Sequence, residues 1–161
     1  MAQLRIAPPD DDAALADWRH VHNTIIPSAP LSAAEVRERA GRNRLEVAYL
    51  GDGPGTLVGC TTVRPPKEGP GPAVATVIAR ILPDFRRRGF GTLLYTRGLA
   101  QARELGAEVI ETVVWTANED GLRFALRRGF TAFDRYLLPG DDVEWVDLRL
   151  TGEAAPERTG S

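Results

Sequence analysis

The run Arg86-Arg87-Arg88-Gly89-Phe90-Gly91-Thr92 sets three guanidinium groups beside two glycines, a combination suited to holding a phosphate. Arginine offers forked, charge-assisted donors to anionic oxygens. Gly89 and Gly91 let the backbone turn sharply and let a ligand approach the main chain, because no Cβ stands in the way. A helix starting here has first N–H groups without intrahelical partners, at its positive dipole end, and such an end binds anions readily. Other groups capable of chemistry are scattered along the chain. Glu111 is a carboxylate, His20 and His22 are imidazoles, Tyr136 is a phenol, Asn118 is an amide and Cys60 is the chain's single thiol. Two histidines two apart on a helix share no face, so His20 and His22 form no metal pair, and a surface place is the default for each. One cysteine can form neither an intramolecular disulfide nor a thiolate metal cluster. Cys60 lies in the apolar run from Leu57, where a small buried side chain is expected, and no base is evident beside it.

The elements that must position these groups follow from periodicity. Ala73 to Ile81 is rich in Ala, Val and Ile, interrupted by Thr76 and Arg80, and reads as a largely buried strand that ends at the arginine turn. Leu93, Leu94, Leu99, Ala102 and Leu105 then recur at helical spacing. Gly106 breaks that helix, and Glu108 to Trp115 reads as the next strand, on which Glu111 shares a face with Val113 and Trp115. Asn118 stands where it can cap a short helix from Glu119 to about Arg128. Upstream, Leu4 to Ala7 is a first strand stopped by Pro8-Pro9. Asp10, Asp11 or Asp12 caps a helix whose face carries Leu15, Trp18, Val21 and Ile25. Ile26 to Pro30 is a rigid apolar loop. Ser32 and Glu35 form a capping box on a second helix that Gly41 ends. Leu45 to Leu50 and Thr56 to Val63 flank the turn Gly51-Asp52-Gly53-Pro54-Gly55 as a hairpin. Arg64 to Pro72 is a Pro/Gly-rich loop, and Thr131 to Leu138 and Glu144 to Leu150 are the last strands. These patterns alone give an α/β fold with a mostly antiparallel sheet.

Arg86-x-x-Gly89-x-Gly91, after Ile81-x-Pro83, resembles the acyl-CoA pyrophosphate loop of the GNAT superfamily, the acetyl-CoA-dependent N-acyltransferases. Asn118, Phe124 and Gly129-Phe130 resemble that family's second motif, one helix and one strand further on. The likeness is specific from Ala73 to Phe130 and extends through element order over most of the chain. It implies the GNAT fold, a mixed and mostly antiparallel sheet of about seven strands with helices on both faces. It further implies an acyl-CoA-dependent N-acyltransferase that moves an acetyl group from acetyl-CoA, or another acyl-CoA, directly to a primary amine in a ternary complex, without a metal. Main-chain atoms at Ala79, Arg80 and Ile81 would hold the pantetheine arm and polarise the thioester. Amides from Arg86, Arg87, Arg88, Gly89, Phe90, Gly91 and Thr92 would hold the pyrophosphate. Asn118 would contact the arm, cap the following helix, or do both, whereas Phe124 and Phe130 read as packing residues.

The chain also departs from the family pattern. Deprotonating an amine calls for a general base. Ala73 to Ile81 has no carboxylate, and the usual Glu position on the next strand is Val113. Glu111, two residues earlier, is the candidate base, directly or through water; the competing reading is a strand residue in an ion pair. The usual acid, a Tyr seven residues after the Asn, is replaced by Ala125, which leaves Tyr136 or solvent to protonate the leaving thiolate. Family likeness places the acceptor at Trp18, His22, Asn23 and Ile25 to Pro30. There His22 could orient or deprotonate an amine, and Trp18 and Pro27 hint at an apolar or aromatic pocket.

At 161 residues the chain is one domain's worth. Residues 1–150 read as a single GNAT-like domain and 151–161 as a polar, disordered tail. A net charge of −2 offers no electrostatic case for nucleic acid or an anionic membrane. Arg outnumbers Lys so heavily, Lys67 being the one lysine, that arginine content reads as codon usage rather than as a binding surface. Met1 to Asp12 is polar and acidic, unlike a secretory signal, and no apolar run approaches spanning length. A cytoplasmic enzyme acting on a small-molecule or peptide amine is the expectation, with a homodimer as a family trait. Two rival readings remain. In one, a GNAT-like domain binds acyl-CoA as a sensor or interaction module without turnover. In the weaker one, the Arg/Gly loop serves another nucleotide.

Overall fold

The computed structural model describes residues 3–152. Among these residues the elements run β1 (Leu4–Ala7), α1 (Asp12–Ile25), α2 (Ala33–Arg42), β2 (Arg44–Leu50), β3 (Thr56–Arg64), β4 (Val74–Ile81), α3 (Phe90–Glu104), β5 (Val109–Trp115), α4 (Glu119–Arg127), β6 (Phe130–Tyr136) and β7 (Trp145–Leu150). A single 3-10 turn at Pro83–Phe85 separates β4 from the arginine loop.

The strands form one sheet in the order β1-β2-β3-β4-β5-β7-β6. Neighbours are antiparallel except β4 and β5. That parallel pair is the one joined by a long helix, since antiparallel neighbours can be joined by a tight turn and parallel ones need a crossover. Each strand's alternation feeds two cores. On one face, Ala75 and Val77 pack with Leu99 and Ala102 of α3 and Ala125 of α4. On the other, Val47, Cys60 and Trp145 pack with Trp18, Val21 and Ile25 of α1 and Val36 of α2. Burying both faces this way removes the apolar side chains of β3, β4 and β5 from water, the dominant favourable term in folding.

Local chemistry explains the helix starts. Asp11 accepts from the Ala14 amide at 2.8 Å and caps α1. Ser32 and Glu35 complete the expected capping box, with reciprocal bonds of 3.2 and 2.9 Å. Gly41 does not end α2, contrary to expectation. The helix continues to Arg42 and closes with the Asn43 amide on the Arg39 carbonyl at 2.8 Å. Glu46 of β2, buried at 3 % exposure, accepts from Arg97 of α3 at 2.6 and 2.9 Å and from Gln101 at 3.0 Å. This polar clasp fixes α3 over the sheet. At the far end, the Thr151 and Gly152 amides bond to the Gly129 carbonyl at 3.1 Å each. The rest of the expected tail lies outside the described residues.

Candidate active site

β4 and β5 pair only at Val74–Val109, Ala75–Ile110 and Thr76–Glu111. Beyond that rung each strand keeps its outer neighbour, β4 pairing with β3 as far as Ile81 and β5 with β7 as far as Trp115. The two inner edges therefore part and carry main-chain donors and acceptors with no partner across the gap. Backbone polar groups removed from water need such partners. A cleft of about 630 Å³ opens there, walled by Ile78 to Ile81 on one side and Thr112 to Trp115 on the other.

The cleft runs on to the arginine turn. Arg87 adopts φ 65° and Gly89 φ 83°, so the chain passes twice through the left-handed region. For arginine that conformation is uncommon and stores local strain, which clusters at binding sites. Gly89 is the N-cap of α3 and offers no side-chain cap. The amides of Phe90, Gly91 and Thr92 thus precede the first helical bond, from Leu93 to Gly89 at 3.2 Å, and stay available to an anion. Of the three arginines, Arg87 lines the cleft. Arg86 lines it too, but its guanidinium ties the turn together, bonding the Ile81 carbonyl at 2.9 Å and Asp120 at 3.2 Å. Arg88 stacks outward over Phe85 at 5.5 Å. Neither Arg88 nor the Phe90 side chain is on the wall, whereas Ala79, Arg80, Ile81, Gly89, Gly91, Thr92 and Asn118 are. The Asn118 side chain accepts from the Gly121 amide at 3.1 Å. It caps α4 from a position on the cleft.

Two buried donors on the wall have no partner among the described residues, Tyr95 Oη and Trp115 Nε1. Unsatisfied buried donors cost free energy unless a ligand or water meets them. Tyr95 stands edge-on to Phe124 and Phe130, with ring centroids 5.8 and 5.5 Å away. Burial pushes its hydroxyl above the ordinary tyrosine range. Sequence reading passed over it; the signal was a phenol on the buried stripe of α3, beside Leu94 and Leu99. Phe124 packs as expected and also lines the cleft.

Glu111 is not on the cleft wall. It lies on the last paired rung, where Arg149 of β7 holds its carboxylate at 2.7 and 3.1 Å. The ion-pair reading describes this position. Tyr136 likewise donates to Asp147 at 2.7 Å and lines a separate cavity of about 310 Å³. His22 lines that cavity as well and is buried at 5 % exposure, which corrects the surface default; His20 is exposed as expected. The His22 ring stacks on Trp18, centroids 5.7 Å apart, and Nδ1 meets Asn23 at 3.0 Å. Burial, aided by Arg80, lowers its pKa to about 4. It is a neutral imidazole at pH 7 and a weak base. Trp18 is core rather than acceptor pocket, because its indole donates to the Thr61 carbonyl at 3.1 Å. Pro27 is exposed and off both walls. The aromatic walls of the smaller cavity are Trp145 and Tyr136 instead. Cys60 is 1 % exposed, and burial pushes its thiol up to about 12.

Residues 13–130 match the family model described as Acetyltransferase (GNAT) family. This chain belongs to that family. A mycothiol acetyltransferase of Propionibacterium freudenreichii subsp. shermanii is 32 % identical over 104 residues, 63 % of this chain and 33 % of that protein. The chain therefore spans about a third of the length of that curated relative. The Salmonella typhimurium protein yncA, solved with its cofactor acetyl-CoA, superposes with TM-score 0.68 at 17 % identity, covering 98 % of both chains. Arabidopsis thaliana NAA60, solved with a bisubstrate analogue, gives TM-score 0.73 at 15 % identity, covering 91 % of this chain and 97 % of that one. At such identities the likeness is one of fold, and the fold is the GNAT fold. Among the described residues there is no group of three or more metal-ligating side chains, and no helix is long and apolar enough to cross a membrane.

Proposed function

We propose that this GNAT chain is an acetyl-CoA-dependent N-acetyltransferase that acts by direct transfer to a primary amine. The observation that carries the reading is the cleft between the parted edges of β4 and β5, continuous with the free amides at the start of α3. Unpaired strand edges suit an amide-bearing arm such as pantetheine. A helix start without a side-chain cap, next to Arg87, suits a pyrophosphate. The orphan donors Tyr95 and Trp115 fit a ligand that brings acceptors into the cleft.

Acetyl-CoA supplies an activated acyl carbon on a thioester. Transfer forms the amide C–N bond, breaks the C–S bond and moves one proton, net, from the amine to sulfur. Main-chain N–H groups along Ala79 to Ile81 can donate to the carbonyl oxygen as charge develops, and fixed dipoles need no reorganisation to do so. Tyr95 is the candidate to protonate the leaving sulfur, a cleft-lining residue whose hydroxyl has no partner among the described residues and stays protonated at neutral pH. A thiol's ordinary pKa of about 8.5 makes this help modest rather than essential. Glu111 is held apart by Arg149, so proton removal from the amine falls to water or to an acceptor arriving already neutral. His22 can orient that amine as a neutral hydrogen-bond partner. No acyl-enzyme step is needed, and buried Cys60 is unsuited to one.

The same reading carries a single catalytic domain over residues 1–150, a cytoplasmic setting and a homodimer as expectations. Its test is acetyl-CoA-dependent thiol release with a panel of amines. Saturable turnover on any acceptor supports it, and saturable acetyl-CoA binding without turnover on a broad panel counts against it.

A further inference from the structure

Arg80 is the most unusual charge in the molecule. It sits in the middle of the sheet on β4, paired in register with Cys60 of β3, and is 8 % exposed. None of its nitrogens has a hydrogen bond or ion pair among the described residues, in contrast to the clasped arginines 86, 97 and 149. Arg80 lines the cavity of about 310 Å³ beneath the loop between α1 and α2, and Arg39 and Arg64 line the same cavity with no ion pair among the described residues. Nearby acids are already engaged. Glu35 is bound in the Ser32 capping box, and Asp147 accepts from Tyr136. Burial first, then Arg64 and Arg39, push the Arg80 guanidinium down to about 10, as expected where three guanidinium groups outnumber the one carboxylate, Glu35, on the cavity wall. Carrying an uncompensated buried charge is costly, so the arrangement calls for an anion from outside.

Arg80 and Val113 line both the cavity and the cleft. An acceptor seated in the cavity would lie against the β4 and β5 residues Arg80 and Val113, beside the main-chain atoms that receive the thioester in the proposed transfer. The cavity's other walls combine apolar Leu31, Leu138 and Trp145 with His22, Glu35 and Tyr136. We propose that the acceptor is a small amino carboxylic acid with an apolar body, its free carboxylate received by Arg80 with Arg64 and Arg39 at the rim. This inference rests on the transferase reading and names the substrate class for it. Guanidinium and carboxylate match in a forked, two-bond geometry, so an amide of the same shape is rejected.

The test uses four apolar amino acids, L-leucine, L-methionine, L-phenylalanine and L-tryptophan, each beside its amide. Acetyl transfer is followed by thiol release, and calorimetry measures binding of each acid and amide to the protein with and without CoA. For any acid that is turned over, kcat/KM exceeds that of its amide by about tenfold or more, as expected where a site is built to bond the missing group. Arg80→Gln removes that preference through KM. Because removing an unpaired buried charge does not threaten folding, the variant melts no lower than the parent. Arg64→Gln, at the exposed rim, reduces the preference about threefold. Acids no better than their amides in both turnover and binding, or a preference that survives Arg80→Gln, overturns the proposal. Absent acetyl-CoA binding overturns the transferase reading separately, since the acid–amide difference is measured without coenzyme as well.

Discussion

Thr76 and Glu111 form the last rung between β4 and β5. On one side of that rung the sheet is an ordinary parallel pair; on the other the strands part and the cleft begins. Arg149 clamps Glu111 at this junction, so the carboxylate that sequence spacing nominated as a base braces the fork instead. The fork, rather than a constellation of titrating side chains, is the chief device of this site. Most of its working groups are main-chain atoms, which any residue supplies.

Gly91 tests the turn. An added Cβ there meets only Phe124 at 3.5 Å and Ile81 at 3.8 Å, which is ordinary contact, so Gly91→Ala folds. The methyl group nevertheless narrows the cradle at the start of α3. Acetyl-CoA binding by calorimetry is expected to weaken about tenfold, or ~1.4 kcal/mol, with the melting temperature nearly unchanged. Undiminished affinity would remove the turn from the coenzyme site.

Tyr95→Phe separates catalysis from packing. The ring contacts with Phe124 and Phe130 survive, and an unsatisfied buried hydroxyl is lost, so stability holds or rises slightly. If Tyr95 protonates the leaving sulfur, kcat falls about tenfold or more while the dissociation constant for acetyl-CoA is unchanged. An unaltered kcat assigns that proton to solvent.

Cys60→Ala probes the route of transfer. A buried thiol with a raised pKa is a poor nucleophile, so steady-state kinetics of the variant should match the parent and show intersecting rather than parallel double-reciprocal lines. Trapping of an acetylated Cys60 would contradict direct transfer.

His22 gives the fold an acid limb. Its pKa is about 4 in the folded chain against 6.5 for the free side chain, so the unfolded state binds more protons in that interval. Arg80 and Arg39 face the ring and oppose its charging, and Glu35 favours it. The stabilisation is complete above pH 6.5 and is lost as pH falls toward 4. Between pH 7 and pH 5 His22 contributes a loss of roughly 2 kcal/mol. Urea titrations of parent and His22→Gln should converge by about that amount at pH 5; parallel pH profiles would refute it.

Arg97→Ala probes the clasp on Glu46. The Glu46 carboxylate would stay buried with Gln101 as its remaining side-chain donor. Breaking a fully buried pair costs about 3–5 kcal/mol, but Arg97 is half exposed, so about 2 kcal/mol is expected by chemical denaturation. A loss near zero would mean that Gln101 and water suffice.

Much of the architecture was legible before any coordinates. Strand and helix order, a cap from the Asp10–Asp12 run and the Ser32–Glu35 box follow from local periodicity and capping chemistry, which act over a few residues. Gly41 misled because a glycine near a helix end is tolerated when the chain closes the turn just beyond it, as Asn43 does on Arg39. The turn from Arg86 to Thr92 and the Asn118 cap were readable because glycine and capping residues mark backbone geometry directly. Partnering was not. Whether Arg86 faces an anion or Asp120, or Glu111 faces a substrate or Arg149, depends on residues 34 and 38 positions away. His22 and Trp18 share a helix face, yet only packing against Thr61, Arg80 and Asn23 sends one to a cavity wall and the other into the core. Tyr95 was hidden for the same reason, since a phenol on an apolar stripe declares its orphan hydroxyl only when its neighbours are known.

The most direct measurement is calorimetric titration of the purified protein, freed of copurified coenzyme, with acetyl-CoA, using ATP as the control. The account predicts saturable one-site binding of acetyl-CoA, weakened by Arg87→Glu at the cleft wall, and no comparable binding of ATP. Absence of acetyl-CoA binding by folded protein, or an equal response to ATP, would contradict it.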